Sequence, residues 1–339
     1  MNYLKRVKIV FFKRLAKYLG SQILLYHSCY RNIPPQLNFN LHNVNPDVMY
    51  EQLKWYKKNY QIVSLNEWFE SKNKKNLAAV TFDDAYVSVF EEGLQILDTL
   101  DIPATIYIIA GNLEGKIFWR DKIRYIYTLH LENQFKEYIF NKYNITGINE
   151  SLYDISKNKN FIKLLPNRLF NDELDIFIKI NGYQKGLVNH CINQPDQLIK
   201  HPLITYGNHS YSHYILSTLS KSEQEKDLMK SHQLIKECTL DKYVQYFSTP
   251  FGGYDTFNFD TLNILKNLGI KGMLLSKMMI HDSKILPQYN GISFANRFMV
   301  PESQKEFNEN ISKMSRRYFN KEENRLMLKI RSLNKEMDK

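Results

Sequence analysis

The stretch Ala78-Ala79-Val80-Thr81-Phe82-Asp83-Asp84-Ala85-Tyr86 constrains this chain more than any other. An apolar run stops abruptly at two adjacent carboxylates. Such a run reads as a strand buried on both faces, the kind that parallel α/β sheets use. Residues just past the carboxyl end of such a strand stand where α/β folds carry their chemistry. Successive strand residues point to opposite faces, so Asp83 and Asp84 are expected to do different jobs. One can bind a metal while the other handles a proton. The competing reading makes one of them the N-cap of a following helix, Val87 to Leu100, and leaves the other in solvent.

Strand and helix alternate on both sides of this stretch. Gln22 to His27 reads as a first short strand ending in a histidine, and Pro46 to Asn59 as a helix opened by its proline. Ile62 to Leu65 reads as a strand, Asn66 to Ser71 as a short helix, and Ala104 to Ala110 as another buried strand. The pattern then changes. Residues from about 115 to 200 are rich in Asn, Lys, Tyr and Ile and read as an inserted helical subdomain, opening with Phe118-Trp119-Arg120-Asp121-Lys122. Alternation returns with a strand at 203–206, a helix from Ser220 to Cys238, a strand at 243–247, a helix from Asp260 to Leu268 and a strand at 272–275. This recurrence is the signature of a parallel α/β sheet. Residues 301–339 are charged and helical in composition.

Two further motifs follow strand ends. Gly207-Asn208-His209-Ser210-Tyr211-Ser212-His213 holds two histidines four apart, which share one ion if the segment turns helically. Two imidazoles and one carboxylate leave open positions on a metal, as catalysis requires. The other reading is a pair of solvated or core-satisfied histidines. Thr249-Pro250-Phe251-Gly252-Gly253 implies a tight loop with backbone N–H groups able to hold an oxyanion, or an ordinary turn.

In this order, the three motifs resemble the polysaccharide deacetylase family, carbohydrate esterase family 4, also called the NodB homology domain. Its members carry T-F-D-D-G, H-S-x-S-H and R-P-P-Y-G-like motifs. Here T-F-D-D-A stands at 81–85, H-S-Y-S-H at 209–213 and T-P-F-G at 249–252. The resemblance covers roughly residues 22–112 and 200–300. It implies a distorted (β/α) barrel, a catalytic domain over 21–300 interrupted by the helical insertion, and a divalent metal, usually zinc. It also implies that Asp83 is the general base, that Asp84, His209 and His213 hold the metal, and that the Phe251 N–H faces the oxyanion. Three departures stand out. Ala85 replaces a glycine. Ser248-Thr249 stands where many members have an arginine that orients the base. No late Leu-x-His motif supplies a general acid; His281 is the nearest candidate in sequence order. His27 is a second candidate, read here as making a structural hydrogen bond at the barrel mouth.

The resemblance implies hydrolytic removal of acetyl groups from an N-acetylated sugar of a polysaccharide or glycan precursor, in cell-surface polysaccharide biosynthesis. The missing arginine and acid favour an alternative, a weak or inactive carbohydrate-binding or assembly protein on the same fold. Composition narrows the setting. Net charge is +11 over 339 residues, but the surplus is spread along the chain and is no nucleic-acid footprint. An acidic glycan or an anionic membrane explains it equally well. Three scattered cysteines give neither a disulfide framework nor a Cys-based zinc pattern, and favour a reducing compartment. No apolar run is long enough to span a membrane. Residues 1–20 carry six basic residues, no acid, and apolar residues at helical spacing. They read as a basic amphipathic helix, packed on the protein's own body or lying on a membrane. The expected location is the cytoplasm, with the inner face of the membrane as the docking surface. The Lys and Arg of 120–124 read as a solvated helix face or as facing an anionic glycan.

Overall fold

The computed structural model describes residues 20–277, 286–313 and 325–333. Residues 1–20, apart from Gly20, and His281 thus lie outside the described residues. Strands β1 (Gln22–Tyr26), β3 (Leu77–Phe82), β4 (Ala104–Ile108), β5 (Ile204–Asn208), β6 (Tyr243–Ser248), β7 (Gly272–Leu275) and β9 (Ile292–Asn296) are joined in that order, each parallel to the next. Short β2 (Gln61–Ile62) pairs with β3 and β8 (Gln288–Tyr289) with β9. Closure depends on one residue. β9 runs through Arg297 into β10 (Phe298–Met299), and β10 pairs in parallel with β1. One continuous segment therefore bonds to the last strand on one side and to the first on the other. The sheet closes into a barrel.

Strand alternation sorts the side chains into two layers. Ile23, Ala79, Tyr107, Tyr246, Leu274 and Ala295 form one cluster, contributed by β1, β3, β4, β6, β7 and β9, and this is the barrel interior. Leu24, Val80, Ile106 and Tyr206 face outward and pack with Leu53, Tyr56 and Leu97 of the surrounding helices. Local chemistry starts those helices where the sequence predicts. The Asn45 side chain accepts from Asp47 N–H ahead of helix Pro46–Asn59. Ser220 and Glu223 form a capping box at helix Lys221–Thr239. The predicted strand Ile62–Leu65 is shorter, because Ser64 instead caps helix Leu65–Glu70. The predicted helix from Val87 begins as a π-turn, Val89–Gly93, before its regular part, Leu94–Leu100.

Between β4 and β5 lie helices Trp119–Thr128, Glu132–Tyr143, Leu152–Ile155, Lys159–Leu164 and Asn167–Ile180. Their apolar sides meet in a second core, with Phe135, Ile139, Phe161, Phe170 and Leu174 buried together and Tyr30, Leu41, Tyr86 and Tyr214 joining from outside the insertion. Among the described residues no helix is long and apolar enough to cross a membrane.

Candidate metal centre and active site

Register brings the candidate residues to one end of the barrel. Tyr26 pairs with Phe82, Ile108 with Asn208, Ser248 with Leu274 and Leu275 with Asn296. The next residues along the chain are His27, Asp83, His209, Thr249 and Arg297. All stand at the carboxyl ends of the strands, where barrels of this kind carry their chemistry.

Asp83 and Asp84 part company as expected, but for a different reason. Asp84 and Ala85 both have left-handed backbones, φ 69° and 53°. The strand has ended, and a tight turn, not the pleat, aims the second carboxylate. Neither aspartate caps the following helix, whose first turn follows Ser88.

Asp83 faces the barrel interior and is gripped by Arg297. Nη1 donates to Oδ1 and Nη2 to Oδ2, each at 2.7 Å, a planar bidentate pair. Ser248 Oγ lies 3.1 Å from both oxygens. Arg297 is fully buried and also donates to Ser248 Oγ at 2.9 Å and Ser276 Oγ at 3.2 Å. Burial alone would push Asp83 up. The guanidinium, His209 and the paired hydrogen bonds outweigh it and hold the carboxyl well below its ordinary range. The arginine absent from position 249 is thus supplied from another strand. The signal in the sequence was Ile292-Ser293-Phe294-Ala295-Asn296-Arg297, an apolar run ending in polar groups, as β3 does.

Asp84, His209 and His213 form the second group. All are buried, and one ligand atom from each lies within 4.8 Å of the others. His209 Nδ1 sits 2.8 Å from the Ser248 carbonyl, which can only accept, so Nδ1 carries the proton and Nε2 presents its lone pair. That Nε2 is 3.5 Å from Asp84 Oδ1, and His213 Nε2 is 3.7 Å from the same oxygen. Asp84 Oδ1 is buried and accepts no hydrogen bond. Burial, then the neighbouring Asp83 carboxylate, push Asp84 up to about 8. Burial lowers His209 and His213, keeping both imidazoles neutral as ligands must be. An orphaned carboxylate oxygen facing two neutral imidazoles fits a divalent cation, which would neutralise the carboxylate and occupy the missing contact.

The segment 209–213 is not helical. Ser210 and His213 have φ of 66° and 54°, and the rings meet at 4.7 Å between centroids. Buried polar groups hold this loop. Asn208 Oδ1 accepts from Ser210 N–H, Ser210 Oγ accepts from His213 N–H, and Asp227 accepts from Tyr211 and Ser212 N–H.

Phe251 adopts φ 62°, and its ring lies 5.1 Å from the His213 ring. At the next residue, Gly252, φ is +59°, and an added Cβ would meet Ser276 N at 2.4 Å, so only glycine fits. His27 stands across from Asp83 on the adjacent strand, and Asp83, Arg297 and His209 all act on it electrostatically. Its Nδ1 is 3.1 Å from His42 Nδ1, and His42 Nε2 is 2.7 Å from the Val300 carbonyl. The structural hydrogen bond read for His27 is therefore present, at the rim of the site.

Fold and cluster together define a parallel α/β barrel with a buried Asp-His-His group, consistent with a divalent metal, beside an arginine-clamped aspartate. A family model described as polysaccharide deacetylase matches residues 70–137 and 185–273, which contain Asp83, Asp84, His209, His213 and Phe251. The matched stretches, which hold the whole Asp-His-His group, are those of the polysaccharide deacetylase family. Among solved structures it is similar to the Streptococcus pyogenes deacetylase PplD in complex with acetate, at 18% identity and TM-score 0.50, covering 86% of this chain and 98% of that one. It is similar to IcaB from Ammonifex degensii, at 15% identity and TM-score 0.51, covering 87% and 96%. A polysaccharide deacetylase from Bacillus cereus aligns at 15% identity and TM-score 0.50, covering 86% and 69%. No curated protein sequence matches.

Proposed function

We propose that the protein removes acetyl groups from an N-acetylated sugar of a polysaccharide or glycan precursor. The observation that carries this reading is the pairing of two sites at one barrel mouth. Asp83, clamped by Arg297, has Oδ2 3.6 Å from His209 Nε2 of the Asp-His-His group. A divalent cation such as zinc, held by Asp84, His209 and His213, supplies Lewis acidity to a carbonyl and acidifies water.

The chain's own residues do the rest. Asp83, ionised throughout the neutral range, takes a proton from the attacking water and, being a weak base, readily gives it up. The Phe251 N–H faces the developing oxyanion. With His281 outside the described residues, His27 is our choice for the acid. The Val300 carbonyl can only accept, so His42 Nε2–H donates to it. A neutral His42 then accepts at Nδ1 from His27 Nδ1–H. This leaves the lone pair of His27 Nε2 able to relay a proton to the departing amine; burial, then His42, hold this imidazole well below its ordinary range, so it carries that proton only in passing.

Acetate release from N-acetylglucosamine oligomers, with and without chelator, tests the proposal. Loss of release on chelation and in Asp84→Asn is expected. Metal-loaded protein that binds glycan and frees no acetate would establish the binding-protein alternative. The missing arginine that favoured that alternative is supplied by Arg297. We also propose a cytoplasmic location at the inner face of the membrane. The basic character of residues 1–20 and three free cysteines support it.

A further inference from the structure

Helix Trp119–Thr128 buries three cations, where the sequence suggested either a solvated face or one facing an anionic glycan. Arg120 is 7% exposed, Lys122 5% and Arg124 5%. Two of them have carboxylate partners. Arg124 Nη1 bonds Asp121 Oδ1 at 2.6 Å, and Lys122 Nζ bonds Asp175 Oδ2 at 2.7 Å and Asn171 Oδ1 at 2.9 Å. Arg120 has none. No hydrogen bond or ion pair to it exists among the described residues, and its Nη1 is buried without a partner. Its guanidinium carbon is held instead by three rings, 4.6 Å from Tyr153, 5.1 Å from Phe251 and 5.7 Å from Trp119. Aromatic faces attract a cation but satisfy none of its N–H groups. An unpaired buried charge destabilises a fold.

Two of those rings border the proposed reaction centre. The Phe251 ring lies against His213, and Trp119 Nε1 donates to the His213 carbonyl at 3.2 Å. Arg120 also acts electrostatically on both Asp84 and His213. A planar guanidinium, unpaired and with its Nη1 buried, beside the proposed reaction centre matches the bidentate geometry of a carboxylate or phosphate. The flanking rings offer flat apolar faces to a sugar.

We propose that Arg120 binds an oxyanion carried by the substrate, a carboxylate or phosphate on or next to the N-acetylated sugar. The substrate is then an anionic glycan or glycosyl phosphate, and Arg120 selects it. This rests on the deacetylase reading, and the experiment separates the two.

Metal-loaded full-length protein carrying Asp83→Asn, to block turnover, is titrated calorimetrically with three probes. They are a neutral N-acetylglucosamine disaccharide, N-acetylglucosamine 1-phosphate, and a disaccharide of N-acetylglucosamine and glucuronate. At least one anionic probe should bind about tenfold or more tighter than the neutral one, the usual scale of a charge-assisted hydrogen-bond pair. Which probe wins tells phosphate from carboxylate. Adding Arg120→Met should abolish the preference, and Arg120→Lys, which keeps the charge without the fork, should retain part of it. Arg120→Met should melt no lower than its parent, because it removes an unpaired buried charge. Should it fail to fold, the Arg120→Lys ratio decides alone. Equal binding of all three probes, or a preference unchanged in the variants, overturns the proposal. Acetate release by the Asp83 parent from the same probes is scored separately. Its absence with all three would sink the deacetylase reading while the binding ratio still judges Arg120.

Discussion

Asp83 and Asp84 are chemically identical neighbours, and what surrounds each divides their work. Asp83→Asn keeps the shape and removes the proton acceptor, but it leaves the buried Arg297 guanidinium uncompensated and should lower stability by about 3–5 kcal/mol. Acetate release should fall about 10²- to 10⁴-fold, the usual worth of a general base, while metal content stays near normal. Asp84→Asn, His209→Ala and His213→Ala should lose metal and activity together. Metal analysis of purified variants beside rate measurement separates the two classes. Arg297→Met leaves the Asp83 carboxylate buried and uncompensated, and should cost about 3–5 kcal/mol. It should also change the acid limb of stability. Asp83 is depressed in the folded protein, so it contributes stability that is present above the unfolded carboxylate value of about 3.9 and is lost as pH falls below it. In Arg297→Met burial alone acts on Asp83 and pushes it up, so acidification no longer costs stability through this group, and the stability gap between variant and parent should narrow as pH falls. Denaturant midpoints across pH 2–6 would read this, and an unshifted acid limb would argue against the clamp.

The loop that carries both candidate histidine ligands depends on an element that carries neither. Both oxygens of Asp227, on helix Lys221–Thr239, accept backbone N–H groups of the 209–213 loop, at 2.8 and 3.0 Å. Asp227→Ala strands two buried donors, each worth about 1–3 kcal/mol. It should lower both melting temperature and metal affinity with every ligand intact; a competition titration would show the second effect. At this scale the sequence was readable where the signal is local. The buried run of β3, the Pro46 helix start, the helix beginning at Ser220 and the His-Ser-Tyr-Ser-His spacing all lie within a few residues of what they specify. The Arg297 clamp was not readable, because 214 residues separate the partners. No local pattern says which strand end completes a barrel. Nor did the spacing tell a helical turn from a loop bent by left-handed Ser210 and His213. The charge run from Arg120 to Arg124 likewise read as a solvated face or as facing an anionic glycan, since no local rule shows that a second core will cover it.

Across the whole molecule, the insertion borders the site through Trp119 and Arg120 but supplies no member of the Asp-His-His group. His190 Nε2 meets Gln36, His201 pairs with Asp98, and His130 is exposed. Alanine at any of the three should leave metal content unchanged; a loss would redraw the site. Removing residues 1–19 should weaken binding to anionic vesicles at low salt and leave acetate release intact, and equal vesicle binding by both forms would remove the membrane proposal. The closure through Arg297 has a bearing on how the protein is made. A ribosome working from the amino end produces Asp83 early and must add 214 further residues before its counter-charge exists. Until then the carboxylate that the barrel must bury has no cation to meet it. The nascent chain can pair its earlier strands, but sealing the cylinder and neutralising Asp83 depend on the same late segment, so an unfinished polypeptide is not fully folded.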